Sequence, residues 1–150
     1  MGTYNRLLTH IVFSTKFRKG SIHPDLKDRL LPYMAGIVRS LRCTPLALNC
    51  VPDHVHLLAQ TPPALPLSEF MRTVKNRSSR WVHENYPESA SFAWQGGYAA
   101  FSIGRGEVER VRKYIANQEA HHGIQSFHDE LVEALQSEGI SFDERYLQGD

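Results

Sequence analysis

Apolar positions along this chain change spacing repeatedly, and each change marks an element. Leu7 to Phe13 is dense in apolar and β-branched residues and predicts a first strand, closed by Lys16, Arg18, Lys19 and Gly20. Pro24 suits the first turn of a helix, and Leu26, Leu30, Leu31, Met34, Ile37, Val38 and Leu41 follow at helical spacing. Pro32 falls inside that pattern, where a missing N–H and a ring clash should kink the helix or split it. Leu46 to Val51 and His54 to Gln60 are two short apolar runs joined by Pro52-Asp53, a strand–turn–strand unit.

Thr61-Pro62-Pro63 ends that unit, and Ser68 reads as the N-cap of a helix reaching about Asn85. Leu67, Phe70, Met71, Val74, Trp81 and Val82 share one face of it, opposite Arg72, Lys75, Asn76 and Ser79. Tyr98 to Ile103 reads as a fourth strand, and Gly104 and Gly106 bracket a turn into a helix from about Glu107 to Ala120. A last helix is announced by the spacing Ser126-x-x-Asp129 and can end at Gly139.

The order is βαββαβ followed by two helices. This is the split βαβ, or ferredoxin-like, arrangement of the α+β class: an antiparallel sheet with helices on one face. At 150 residues a single domain (1–150) is expected. Its core should span about 4–104, the tyrosine-bearing helix about 106–121 and an acidic tail about 126–150.

Composition adds a charge asymmetry. The net charge of +1 divides into +7 over residues 1–128 and −6 over residues 129–150. A basic body fits a polyanionic partner, whereas a solvated tail helix is the plain reading of the acidic end. Neither a membrane-spanning apolar run nor a secretory leader pattern occurs, so a cytoplasmic location without membrane contact is expected. Cys43 and Cys50 form no Cys-x-x-Cys pair and read as small buried hydrophobes.

The chemistry concentrates in two places. His54 and His56, two apart in a strand, share one face of it, and two desolvated imidazoles both need partners. Tyr114 and Gln118, four apart at helical period, share a helix face. Two imidazole nitrogens and an amide oxygen can hold a divalent ion with open positions, beside a phenol able to act as nucleophile. Such a set suits metal-assisted attack on a phosphodiester. Each residue also has a plain reading: a core histidine, a core aromatic, or, for His121 and His122, a helix end. His-x-His alone is common, but Leu58 stands where histidine-triad hydrolases need a third histidine, and Leu58-Ala59-Gln60 lacks the metallo-β-lactamase Asp-His pair. Arg72, Lys75, Ser79, Arg105 and Lys113 are candidates for phosphate contacts, as are Lys16, Arg18 and Arg112. Trp94 and Tyr98 are candidates for stacking on an unpaired base.

With these motifs placed, the chain resembles the single-tyrosine HUH transposases of the insertion-sequence 200/605 type, including the REP-associated tyrosine transposases. Pro-Asp-His-Val-His-Leu-Leu at 52–58 is similar to their His-hydrophobe-His strand. Lys75-Asn76-Arg77-Ser78-Ser79 and Trp94-Gln95-Gly96-Gly97-Tyr98 resemble two further motifs, and Tyr114-x-x-x-Gln118 with His121-His122 their tyrosine helix. The run Phe127…Glu130…Gly139-Ile140…Tyr146 is similar to the tail of some members. The resemblance implies a Mg²⁺- or Mn²⁺-dependent transposase acting on single-stranded DNA marked by hairpins. His54, His56 and Gln118 would hold the metal, and Tyr114 would form a 5′-phosphotyrosine. It also implies a homodimer whose active sites can be completed in trans. Two alternatives stay open: a domesticated hairpin-binding protein of this fold, and a small metal-dependent phosphodiesterase.

Overall fold

A computed structural model describes residues 1–147; residues 148–150 of the expected tail lie outside the described residues. Four strands, β1 (Leu8–Ser14), β2 (Thr44–Val51), β3 (His54–Gln60) and β4 (Ala99–Ile103), form one antiparallel sheet in the order β2-β3-β1-β4. Helices α1 (Pro24–Ser40) and α2 (Leu67–Asn85) fill the crossovers, as the ferredoxin-like reading expects. Helices α3 (Val108–Ala116), α4 (Gln118–Ile124) and α5 (Phe127–Ser137) follow β4.

Side-chain alternation divides the sheet into two faces. Ile11 and Phe13 of β1 and Val55, Leu57 and Ala59 of β3 join Leu26, Leu30, Met34, Phe70, Met71 and Val74 in the main core under α1 and α2. On the other face, Val12 and Phe101 pack with Phe127 and Leu135 of α5, and Leu58 packs with Val111 and Ile115 of α3. The sheet is therefore covered on both sides, and the helices beyond β4 form its second layer. That explains why β3 is buried from His54 through Ala59 and carries almost no polar alternation.

Several local expectations shift. Pro32 lies inside a helix that is not split, its missing N–H tolerated within α1. The N-cap of α2 is Pro66 rather than Ser68, which lies in the first turn; Pro66 instead accepts Glu69 N–H through its backbone carbonyl (3.1 Å). β2 begins at Thr44, with a register shift between Pro45 and Ala47, as an edge strand permits for proline. The tyrosine helix is not continuous from Glu107 to Ala120. It breaks at Asn117 (φ −96°, ψ 19°), because Asn49 of β2 donates its amide to the Ile115 carbonyl (2.8 Å) and reaches Ala116 O (3.4 Å). Those carbonyls would otherwise serve the next helical turn.

α5 begins and ends as its sequence indicates. The Ser126 hydroxyl accepts Asp129 N–H (3.2 Å). At the other end, Gly139 (φ 68°) donates to Gln136 O and Ile140 to Leu135 O, the paired bonds of a Schellman closure.

Cys43 and Cys50 are free and buried; burial raises both thiol pKa values, that of Cys50 to about 12. At about pH 8 the folded protein should therefore resist iodoacetamide, while both cysteines react once denatured, because thiolate is the reactive form. Mass spectrometry counts the adducts, and rapid native alkylation of Cys50 would contradict its place under α1 and α2.

Candidate active site

The second face of β3 presents His54 and His56 side by side, with ring centroids 5.1 Å apart. Both imidazoles are essentially sealed from solvent, at 0% and 2% exposed, so every ring nitrogen must be accounted for. Asp53, the turn residue just before the strand, places Oδ1 2.7 Å from His54 Nδ1. The carboxylate accepts the Nδ1 proton and leaves the Nε2 lone pair facing inward. There Gln118 Oε1 lies 3.1 Å away, another lone-pair atom.

His56 is oriented by its neighbour on β1. His10 Nε2 lies 2.9 Å from His56 Nδ1, and Val12↔His56 is the strand register. Burial, then the adjacent His56, lowers His10 to about 4, and burial also lowers His56; one proton can bridge that contact. His56 Nε2 is left facing Glu130 Oε1 at 2.7 Å, without an aligned hydrogen bond.

Glu130 enters this face from α5. Burial alone would raise its pKa, but the contacts to His56 and Tyr114 outweigh that and hold it down to about 2. Its second oxygen lies 3.8 Å from His54 Nε2. Thus His54, His56 and Glu130 each aim one ligand atom into a space where all three lie within 4.8 Å of one another. A carboxylate and imidazole nitrogens this close need a proton or a cation shared between them. The separations suit a small divalent cation, whose adjacent ligands at about 2.1 Å from the ion stand about 3 Å apart.

Tyr114 completes the cluster from α3. Its ring centroid is 5.6 Å from that of His56 and 4.7 Å from that of His121. Burial, followed by the neighbouring Glu130 carboxylate, raises the pKa of its phenol. A cavity of about 350 Å³ bounded by His10, Tyr114, His121, Gln125 and Glu130 opens on the phenol side. His54 is further fixed by Phe127, whose ring stacks on it at 4.3 Å.

His54, His56, Tyr114 and Gln118 therefore meet, although α3 and α4 are separate helices. The candidate phosphate contacts divide. Arg105 and Lys113 are exposed on the α3 side, whereas Arg72, Lys75 and Ser79 sit on α2, in the opposite layer. Lys75 is half-buried and donates to the carbonyls of Gln95 (2.7 Å) and Gly97. Trp94 is buried and donates its indole N–H to Ser78 Oγ (2.9 Å), so it is a core residue rather than a stacking platform, while Tyr98 is exposed. Lys75 and Ser78 together pin the Trp94–Gly97 segment to α2.

Sequence reasoning gave no role to Glu130, His10 or Asp53. A signal existed for the first: Phe127, Leu131, Ala134 and Leu135 form the apolar stripe of α5, and Glu130 interrupts it from inside. His10 likewise shares its strand face with Val12, an inward position.

The description "Transposase IS200 like" belongs to a family model that matches residues 3–118. The ISDra2 transposase TnpA of Deinococcus radiodurans is 24% identical over 122 residues, covering 78% of this chain and 87% of the relative. The transposase for insertion sequence element IS200 of Salmonella typhimurium is 25% identical over 115 residues, covering 73% and 74%. A transposase crystal structure from Deinococcus radiodurans superposes with a TM-score of 0.66 at 24% identity, covering 79% of this chain and 95% of that one. A REP-associated tyrosine transposase bound to a REP hairpin superposes with a TM-score of 0.60 at 16% identity, covering 82% and 75%.

The Lys75 clip generates a pH test. Burial lowers its pKa from 10.5 to about 8. Between those values the unfolded chain binds more protons than the folded one, so this residue's contribution to stability rises with pH there. Wild type should gain stability relative to Lys75→Met as pH rises through that window. Parallel denaturation profiles for the two proteins would contradict the buried position of the ammonium.

Proposed function

The chain belongs to the IS200-like transposases, enzymes that cleave and rejoin DNA, and we propose that Tyr114 is the nucleophile that cuts single-stranded DNA at hairpin-marked sites. The observation that carries this reading is the convergence of His54 Nε2, His56 Nε2, Gln118 Oε1 and a Glu130 oxygen beside the Tyr114 phenol. The donor set of two imidazoles, an amide oxygen and one carboxylate can hold a divalent cation, which we take to be Mg²⁺ or Mn²⁺, and a cavity lies beside Glu130 and Tyr114. His54, His56 and Gln118 would hold the cation, together with Glu130. When bound, the cation polarises the scissile phosphate and neutralises charge as it develops there.

The chain's own residues do the rest. Asp53 and His10 keep His54 and His56 in the tautomers that point Nε2 inward. Tyr114 starts protonated; the phenolic oxygen loses that proton as it attacks phosphorus, and a proton ends on the departing 3′-oxygen. The bond from phosphorus to the 3′-oxygen breaks. A 5′-phosphotyrosine and a free 3′-hydroxyl remain, and attack by such a hydroxyl on the phosphotyrosine rejoins strands. Arg105 and Lys113 flank the tyrosine and suit phosphate contacts, with Arg72 and Ser79 on the other layer and Lys75 acting through the loop it holds. The +7 charge of residues 1–128 supports a nucleic-acid partner. Among the described residues no helix is long and apolar enough to cross a membrane; a cytoplasmic site of action and a single domain over 1–150 are part of the proposal.

The reading includes a homodimer. Tyr114 already meets the histidines of its own chain, so one chain can build a site. Exchange of α3 and α4 would re-form the same contacts between chains, pivoting at Gly104 and Gly106, where an added Cβ meets little.

Incubation with a labelled hairpin oligonucleotide should give a covalent adduct on denaturing gels in Mg²⁺ or Mn²⁺, and none in EDTA, with duplex DNA or with Tyr114→Phe. Cleavage without an adduct would favour the phosphodiesterase, and binding without cleavage the domesticated hairpin binder. Equal cleavage in EDTA would remove the metal.

Mixed dimers of Tyr114→Phe and His54→Ala chains, each inactive alone, should regain one site if the tyrosine helix exchanges. Verified mixed dimers that stay inactive would leave the site within one chain.

A further inference from the structure

Lys16–Arg18 forms a tight turn after β1, and two of its residues, Phe17 (φ 59°) and Arg18 (φ 50°), have left-handed backbone. This region is costly for non-glycine residues, and for a bulky side chain such as phenylalanine it is a genuine outlier. The turn holds this shape because it is fastened on both sides. Thr15, 1% exposed, donates its N–H to Asp53 O (2.9 Å), and its hydroxyl lies 2.6 Å from Lys19 O and 3.1 Å from Asp53 O. Lys16 N–H reaches Ala93 O (2.9 Å), and Ile22 N–H reaches Pro52 O (3.0 Å). The turn is thereby bolted to Pro52-Asp53, the residues that immediately precede His54.

The side chains of these two residues diverge. Arg18 turns inward, its guanidinium 5.0 Å from the ring of Phe127, which itself stacks on His54. Phe17 turns outward and is 56% exposed, and Lys16 and Lys19 place their ammonium groups 5.4 and 5.8 Å from its ring centroid. A strained backbone is spent here on exposing an apolar ring between two cations, which no folding requirement explains. An unpaired nucleobase supplies what the ring lacks, a flat π-face, and its flanking phosphates match the two ammonium groups.

We propose that Phe17 is a stacking platform for one unpaired base of the single-stranded DNA, with Lys16 and Lys19 on the adjacent phosphates. This rests on the reading that the chain binds hairpin DNA with single-stranded flanks. Because the platform is fastened to the turn that leads into His54, it would set the position of the flanking strand relative to the reactive tyrosine.

The test separates base stacking from folding. Binding is measured in EDTA, without cleavage, to a hairpin carrying a short oligothymidine extension and to the same hairpin without it. Phe17→Gly should weaken binding to the extended hairpin about tenfold and leave the blunt hairpin unchanged. Its melting temperature should hold or rise, since glycine adopts the left-handed conformation freely. Phe17→Trp should restore affinity, with indole emission quenched on binding the extended hairpin. Unchanged affinity in Phe17→Gly, equal loss for both hairpins, or a fall in melting temperature alongside the loss of affinity would overturn the platform. If wild type bound neither hairpin, the hairpin-DNA reading would fall, and this inference with it. If wild type bound both and Phe17→Gly matched it, only this inference would fall.

Discussion

Two imidazoles buried on one face of a central strand must be given partners, and most of what lies on that face of the sheet does so. The alternation of β3 sends Val55, Leu57 and Ala59 into the main core and leaves His54 and His56 on the far side. A desolvated polar group without a partner costs on the order of 1–3 kcal/mol, so two such rings left open would weaken the fold severely. The preceding turn contributes Asp53, β1 contributes His10, α4 contributes Gln118 and α5 contributes Glu130. Their contributions differ in kind. Asp53 and His10 engage the outer nitrogens, while Gln118 and Glu130 bring acceptors toward the inner ones. The outer contacts fix the rings, and the inner ones leave a concentration of lone pairs that only positive charge can relieve.

The break between α3 and α4 serves the same arrangement. Asn49 lies on the histidine face of β2, paired in register with His56, and its amide captures the carbonyls that end α3. Its own carbonyl accepts Cys50 N–H (2.9 Å), which makes the side chain a rigid strut between strand and helix. Tyr114 and Gln118 therefore approach the histidines from two short helices anchored to the sheet. Buried Val111 and Ile115 hold α3 against Leu58, the residue two beyond His56 on the same face.

Much of this was legible in the amino-acid order, and the reasons are physical. The histidine pair was visible because a strand's period of two is strict, and the tyrosine–glutamine pair because four residues close a helical turn. The six elements of the sheet and its crossovers followed from changes in apolar spacing. Part of what escaped has no local signature. Asn49 ends a helix 66 residues further along the chain, a contact only the folded sheet creates. Phe17 and Arg18 are left-handed without glycine or asparagine to announce it. Ser68 was a plausible cap by type, yet the chain enters α2 through Pro66, where fixed φ replaces a side-chain bond. Glu130 stood in an apolar stripe, where it looked like a tail charge rather than an inward one.

That last residue changes the meaning of the charge division between body and tail. The acidic end is more than a solvated counterweight, because one of its carboxylates is buried at the histidines, in a segment beyond the 3–118 match. A phosphodiester arriving beside Tyr114 would place a second anion near the first in a site shielded from water, where like charges repel far more strongly than at the surface. A divalent cation held by these ligands would turn that repulsion into attraction on both sides. On this reading the ligands and the substrate depend on one another through the ion: the carboxylate that strengthens metal binding makes the empty site hostile to DNA. Cleavage competence and metal occupancy are then linked by electrostatics.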